Sequence, residues 1–342
     1  MTNTRNSNPA AMPDPGCSPT RRQTIALLGG AVVSTVAAPS LVRAQVYPSR
    51  PVRAIVTFAP GGTVDVYARL ACQYLSEKLG QQFVVENVAG ATGNRGTVQA
   101  ARSTPDGYTL LFALSTHAVN AAVFANLPYD PVADFVPINL SVSSTHVLSV
   151  NPTVAAQNVA EFVADLRARP NQNYAHGGLG TQGHLLAEML KVTQKLDMVA
   201  INFPGAGPAV QAVVGNQISS AWTTMASAGP MIAGGRLKAL AVTGKTRSAL
   251  LPDVPTMIEQ GFPEIEGDTW VGIMAPKGTP DGIVSAINRE IGTFLQSPAA
   301  RQRLADVGFD VVNAGPADFS ARLGEELVFW KKVVDATNVR IP

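Results

Sequence analysis

Apolar residues follow two rhythms along the chain. Short continuous runs read as buried strands, and stretches with an apolar residue every three to four positions read as amphipathic helices. The two meet most sharply in residues 52–79. Ile55–Phe58 reads as a strand that stops at Pro60-Gly61-Gly62, a triplet poorly tolerated inside either element. Val64, Ala68, Ala71, Leu75 and Leu79 then share one helical face. Asp65, Arg69, Gln73 and Lys78 lie away from it, and Gly80 offers a C-cap. Further strands are expected at Phe83–Glu86, Thr109–Phe112, Val147–Val150, Asn173–Ala175, Met198–Asn202, Leu237–Val242 and Val271–Ala275, with helices between them. Late helices are expected over Ile283–Leu295 and Phe319–Val334. This alternation predicts an α/β protein with mainly parallel sheets.

A strand, a glycine turn and a helix start gather free backbone N–H groups at one point, where the helix dipole adds partial positive charge. Such a point can seat a small anion; it can equally be an ordinary strand-to-helix turn. The device recurs at Gly90–Gly96, Gly177–Gly183 and Gly205–Pro208. Loops of this kind lie at the carboxyl ends of parallel strands, where open α/β sheets bind ligands.

The first 44 residues break both rhythms and read as an export signal. A polar start leads to Arg21-Arg22, a short apolar run Ile25–Ala38, and Val42-Arg43-Ala44 before a cut. The run is too short to span a bilayer. The arginine pair suggests the twin-arginine route, although Thr24 stands where a bulky apolar residue is usual. Cleavage after Ala44 changes the charge picture. Four of the 26 basic and one of the 24 acidic residues leave with the signal, so 22 face 23 and the net charge is about −1. A periplasmic location is expected, and nothing in this balance points to nucleic acid or an anionic membrane. Cys17 also leaves, so Cys72 stands alone in the mature chain and reads as a small buried hydrophobe.

Catalytic patterns are weak. Gly178-Leu179-Gly180-Thr181-Gln182-Gly183 matches G-x-G-x-x-G, but no strand about 20 residues on ends in an acidic residue, so a backbone nest for an anion is the better reading. Neither a nucleophile elbow nor a phosphate-binding P-loop occurs. His176 and His184 straddle the glycine loop without a Cys or carboxylate cluster, so no metal is expected. Ser115-Thr116, after the third strand, can cap a helix or donate to a ligand. No nucleophile is paired with a base, and neither catalysis nor a cofactor is expected.

Several phrases, in order, carry a resemblance. They are Tyr47–Val52, Phe58–Asp65, Val85–Asn87 with Gly90–Asn94, Pro105–Leu110, Tyr129–Pro131, Gly177–Thr181 with His184-Leu185, Leu240–Thr243, Pro252–Thr256 and Trp270–Gly272. Their order and spacing resemble the Bug-type solute receptors, the periplasmic binding proteins of tripartite tricarboxylate transport systems, over Tyr47–Val339. The resemblance implies a two-lobed fold like the type II periplasmic binding proteins. Lobe one would comprise residues 45–146 plus 269–342, and lobe two residues 147–268. It implies a monomer that closes on a small carboxylate and delivers it to a membrane transporter of the tripartite tricarboxylate type. A carboxylate-sensing module docked on a signalling receptor is the alternative, and a small-molecule hydrolase or lyase a minor one.

In that family backbone N–H groups and bridging waters from two loops hold the carboxylate. Carried onto this chain, the loops are Pro60, Gly61, Gly62 and Thr63, and Gly177, Gly178, Gly180 and Thr181. Ser115, Thr116, His176, Pro204, Gly205, Trp222 and Thr223 complete the candidate ligand-binding set. Asp65, in the first helical turn, is expected to bond neighbouring backbone rather than ligand. The family often has Phe-Asp where this chain has Trp222-Thr223. Without a carboxylate there, a ligand lacking a cationic amine is expected. Trp222 can be an aromatic wall or plain core.

Overall fold

The computed structural model describes residues 47–337, so the export signal expected over residues 1–44 lies outside the described residues. In chain order the elements are β1 (Val52–Val56), α1 (Thr63–Leu79), β2 (Phe83–Asn87), α2 (Asn94–Ala101), β3 (Thr109–Leu114), α3 (Thr116–Val123), β4 (Phe135–Val150), α4 (Val159–Ala168), β5 (Gln172–His176), α5 (Gln182–Thr193), β6 (Met198–Asn202), α6 (Ala206–Val214), β7 (Ser220–Thr224), α7 (Met225–Ala233), β8 (Lys238–Val242), β9 (Asp268–Pro276), α8 (Asp281–Gln296), α9 (Pro298–Ala305), β10 (Asp310–Ala314) and α10 (Pro316–Thr337).

The first helix shows why these residues form these elements. Its apolar stripe buries Val64, Tyr67, Ala68, Ala71, Cys72 and Leu75. Each large aliphatic side chain so buried contributes roughly 1.5–3 kcal/mol. Gly80 ends the helix at φ 69°, its N–H donating to the Ser76 carbonyl at 3.1 Å. Burial pushes the Cys72 thiol up to about 12, so it behaves as a hydrophobe.

Two lobes share the long strand β4. The first lobe's sheet runs β2-β1-β3-β9-β4-β10, and the second runs β6-β5-β7-β4-β8. Residues Phe135 to Thr145 of β4 pair with β9, and His146 to Val150 pair with β7. The chain thus enters the second lobe along β4 and returns at Asp268, which lies opposite Thr145.

The sheets are mixed rather than mainly parallel. Strands β1, β2 and β3 are parallel neighbours, as are β5, β6 and β7, but every pairing of β4 and β9 is antiparallel. The crossing segments cause this: each arrives from the other lobe and slots in against the local strand direction. One apolar core lies between the first sheet and α1 and α8, around Tyr67, Leu75, Phe112 and Ile287. A second, around Leu148, Tyr174, Leu190 and Trp222, fills the other lobe. Among the described residues, no helix is long and apolar enough to cross a membrane.

Candidate functional site

Three strand-to-helix turns meet where the lobes face each other. The first joins β1 to α1. Here the Gly61 N–H donates to Asp65 Oδ2 at 2.9 Å, and Arg69 forks onto both Asp65 oxygens at 3.0 and 2.8 Å. Asn87 Nδ2 donates to Asp65 Oδ1 and to the Phe58 carbonyl, each at 2.9 Å. Burial alone would raise the Asp65 pKa; the bonds from Arg69, Gly61 and Asn87 outweigh it and hold the carboxylate below its ordinary value. Asp65 thus bonds neighbouring backbone and side chains. The first-turn amides of Thr63 and Val64 have no helical acceptor, because an α-helix leaves its leading N–H groups free.

The second turn joins β5 to α5. Gly180 donates its N–H to His184 Nδ1 at 3.1 Å, and Thr181 donates its own to the Gly178 carbonyl at 3.1 Å. His176 Nδ1 sits 2.9 Å from the same carbonyl and 3.3 Å from the Gly178 nitrogen. The His176 and His184 rings lie against each other, tilted by 32° with centroids 4.4 Å apart. Burial, then the neighbouring His184, depresses His176 to about 3, and burial also lowers His184. Both rings are therefore neutral at ordinary pH. As in the first turn, the amides left over are those opening the helix, at Gln182 and Gly183.

The third turn, between β6 and α6, touches the first directly. Ala59 donates its N–H to the Pro204 carbonyl at 3.3 Å. Added side chains would block this approach: a Cβ on Gly207 would lie 2.6 Å from the Pro60 carbonyl oxygen. Further bonds tie the lobes, two of them at these turns. Thr63 Oγ1 lies 2.5 Å from Thr224 Oγ1, and Thr92 Oγ1 donates to the Leu179 carbonyl at 2.9 Å.

A cavity of about 40 Å³ remains between the turns. Its lining unites Gly62, Thr63, Thr116, Gly177, Thr181, Trp222 and Thr223 from the sequence-based set. The others stand back. Gly61, Gly178 and Gly180 are drawn into the internal bonds described, so the expectation that the amides of Gly61 and Gly180 are free donors is corrected. Pro60, Pro204 and Gly205 belong to the turn-to-turn contact. His176 is buried against Tyr174 and His184, and Ser115 lies beneath the N-terminus of α3.

Sequence reasoning passed over Phe58, Leu114, His146, Gln182, Gly183, Ala206, Thr224 and Thr269, which also line the cavity. Thr224 follows Thr223 on a strand too short to register. His146 and Thr269 lie on the crossing strands, their Nε2 and Oγ1 atoms 3.2 Å apart.

The lining carries no ionised side chain. His146 is pushed down to about 4 by burial and stays neutral. The polar part of the lining comes from the helix-start residues Thr63, Gln182 and Gly183, from the hydroxyl-bearing Thr116, Thr181, Thr223, Thr224 and Thr269, and from His146 and Trp222. Trp222 Nε1 and Thr223 Oγ1 are buried without a partner in the chain. Buried polar atoms ordinarily find one. Trp222 also packs in the second core, so wall and core are one residue. No group of three or more His, Cys, Asp or Glu suited to a metal occurs among the described residues.

Comparison with known proteins matches residues 67–339 to the model for "Tripartite tricarboxylate transporter family receptor". The chain is 36% identical over 315 residues to Protein BugT of Bordetella pertussis, covering 91% of this chain and 97% of that one. Among solved structures it resembles R. palustris Rpa4515 with adipate, at TM-score 0.82 and 31% identity, over 84% of this chain and 97% of that one. It also resembles MatC from Rhodopseudomonas palustris with bound malate, at TM-score 0.79 and 32% identity, over 84% of this chain and all of that one.

Proposed function

The chain belongs to the tripartite tricarboxylate transporter family of receptors, a periplasmic solute-binding family, and from that membership we propose that it captures a small organic carboxylate between its lobes and delivers it to a membrane transporter of that type. The proposed lobes are residues 45–146 plus 269–342 and residues 147–268, preceded by the export signal. The observation that supports the reading is the cavity itself: the starts of two helices, α1 and α5, contribute to the lining of a space with no cationic and no carboxylate side chain. Helix-start amides bind carboxylates without a full charge, and bridging waters extend their reach. Micromolar affinity, on the order of −8 kcal/mol, is within range of such contacts once closure excludes bulk water.

Malate and adipate, the ligands of two relatives, are both dicarboxylates. In this chain Trp222 Nε1 and Thr223 Oγ1 suit the far end of such an acid, because both can donate to oxygen and neither can neutralise an ammonium group. The ligand is therefore an acid without a cationic amine. A thermal-shift screen of mono-, di- and aromatic carboxylates tests the proposal, since a ligand that binds only the native state raises the melting temperature. A saturable rise with dicarboxylates, abolished by Gly62→Val in a folded protein, is expected. No rise with any acid, or an amino acid binding as tightly as its deaminated analogue, would overturn it.

A further inference from the structure

Behind the ligand cavity, α5 of the second lobe and α10 of the first face each other across an open groove of about 840 Å³. Its floor is apolar, with Leu185, Leu186, Met189 and Val192 from α5 and Phe329 and Trp330 from α10. Leu186 is buried in the second core and Leu185 and Trp330 are partly buried, but the outer residues are open. Val192 is 72% exposed and Phe329 55% exposed, and exposed large hydrophobes gathered in one place mark a contact surface. The rim carries Glu188, Glu266, Asp268 and Glu325, while Glu326 lies buried beneath it, accepting from Trp270 Nε1 and paired with Arg322. Glu188 has Lys191 at 3.4 Å and Glu266 has Lys245 at 3.6 Å, so the acidic surplus is that of Asp268 and Glu325.

We infer that this groove is a docking site for a basic amphipathic helix of a partner protein. Its apolar face would lie on Phe329, Met189 and Val192, and its lysines or arginines would meet the acidic rim. Two parallel observations favour a helix over a small molecule. The floor is built from two helix faces, between which a third can lie, and α5 alone offers about 18 Å of length. Charge complementarity selects a basic segment.

The groove is also joined to the ligand site. Gln182 lines both spaces, and its Oε1 accepts from Thr269 Oγ1 at 2.8 Å. Helix α5 begins with amides at the ligand cavity, and its later turns form one wall of the groove. Because each lobe supplies one wall, the groove changes width whenever the lobes move. Ligand and partner helix are therefore coupled, and by linkage each alters the other's affinity by the same factor.

The test uses the exported mature chain and two labelled 16-residue helical peptides, one of Leu and Lys and one of Leu and Glu, followed by fluorescence anisotropy. The Leu/Lys peptide is expected to bind saturably, at least ten-fold more tightly than the Leu/Glu peptide. Phe329→Asp and Val192→Asp should each weaken it at least ten-fold. Val328→Asp should leave it within two-fold, since Val328 is 58% exposed but lies outside the groove lining. All three variants add the same negative charge, so diffuse attraction to an acidic surface would not separate them. Equal binding by the three variants, equal binding of the two peptides, or absence of saturation would overturn the inference. Carboxylate thermal shifts on the same variants report the ligand site separately.

Discussion

The β1–α1 and β5–α5 turns hold the same place in their lobes, yet opposite chemistry fastens them. Asp65, ionised and gripped by Arg69, ties down the first through the Gly61 amide. In the second, His184, neutral and buried, ties down the Gly180 amide. Either way the glycine amides secure the loop, and the first amides of the following helix have no acceptor within the helix. Both turns are rigid at a helix start, which is what the proposed anion seat requires. Whether that rigidity comes from a charge or from a neutral ring is a separate matter, and it makes the two turns respond differently to the same perturbation.

Acid should separate them most. His117 and His146 are depressed to about 4 and His176 to about 3, all led by burial. The unfolded chain takes up their protons from about pH 6.5 downward, while the folded chain does not. Stability is therefore full above pH 6.5 and falls as pH drops toward 4. Asp65 acts in the same direction but later: its contribution persists until pH falls below the ordinary carboxylate value. The raised Asp310 and Glu326 favour the folded state as pH falls through the range just above ordinary carboxylate values and offset part of the loss. Urea midpoints from pH 8 to pH 4.5 should show the decline beginning near 6.5; a flat profile would mean the rings are not buried as described.

Asp65→Ala is the next largest effect. It strands the Gly61 amide, Asn87 and Arg69, although the half-exposed Arg69 recovers water. About 2–3 kcal/mol of stability should be lost, with weaker carboxylate binding by calorimetry; Asp65→Asn should cost less. His184→Ala removes a neutral acceptor from one buried amide and should cost about 1–2 kcal/mol. A larger loss there than at Asp65 would reverse the ranking of the two turns. The smallest effects belong to the bonds that join the lobes. Thr63→Val removes the contact with Thr224, buried on both sides, and should weaken carboxylate affinity several-fold. Thr92→Val removes an exposed bond to Leu179 and should change it less than two-fold.

Much of this was readable from sequence where one segment decides its own fate. The Gly80 cap, the stripe of α1 and the expectation that Asp65 would bond its own neighbourhood all depend on residues a few positions apart. The reading failed where the deciding partner is remote. Only Val147–Val150 reads as strand, yet β4 begins at Phe135. Its polar residues suggest a loop, but Ser144 donates to the Gly308 carbonyl at 2.7 Å and Asn139 to Asn288 Oδ1 at 2.9 Å. Strand β10 was missed for a similar reason, its alternation being weak at the sheet edge. At the candidate site, glycine spacing pointed to turns that do lie together around one cavity, but not to which of their amides are engaged within the chain. That depends on where Asp65, His176 and His184 direct their side chains.

Strand β9 lies between β3 and β4, although it comes from residues 268–276, after every strand of the second lobe has been made. A chain growing from its N-terminus therefore holds β3 and β4 apart, each with a bare edge, until this late piece arrives. Such edges invite pairing with foreign strands. The lobe that begins first is thus the last to be sealed, and its exposure lasts for the whole synthesis of the lobe inserted within it.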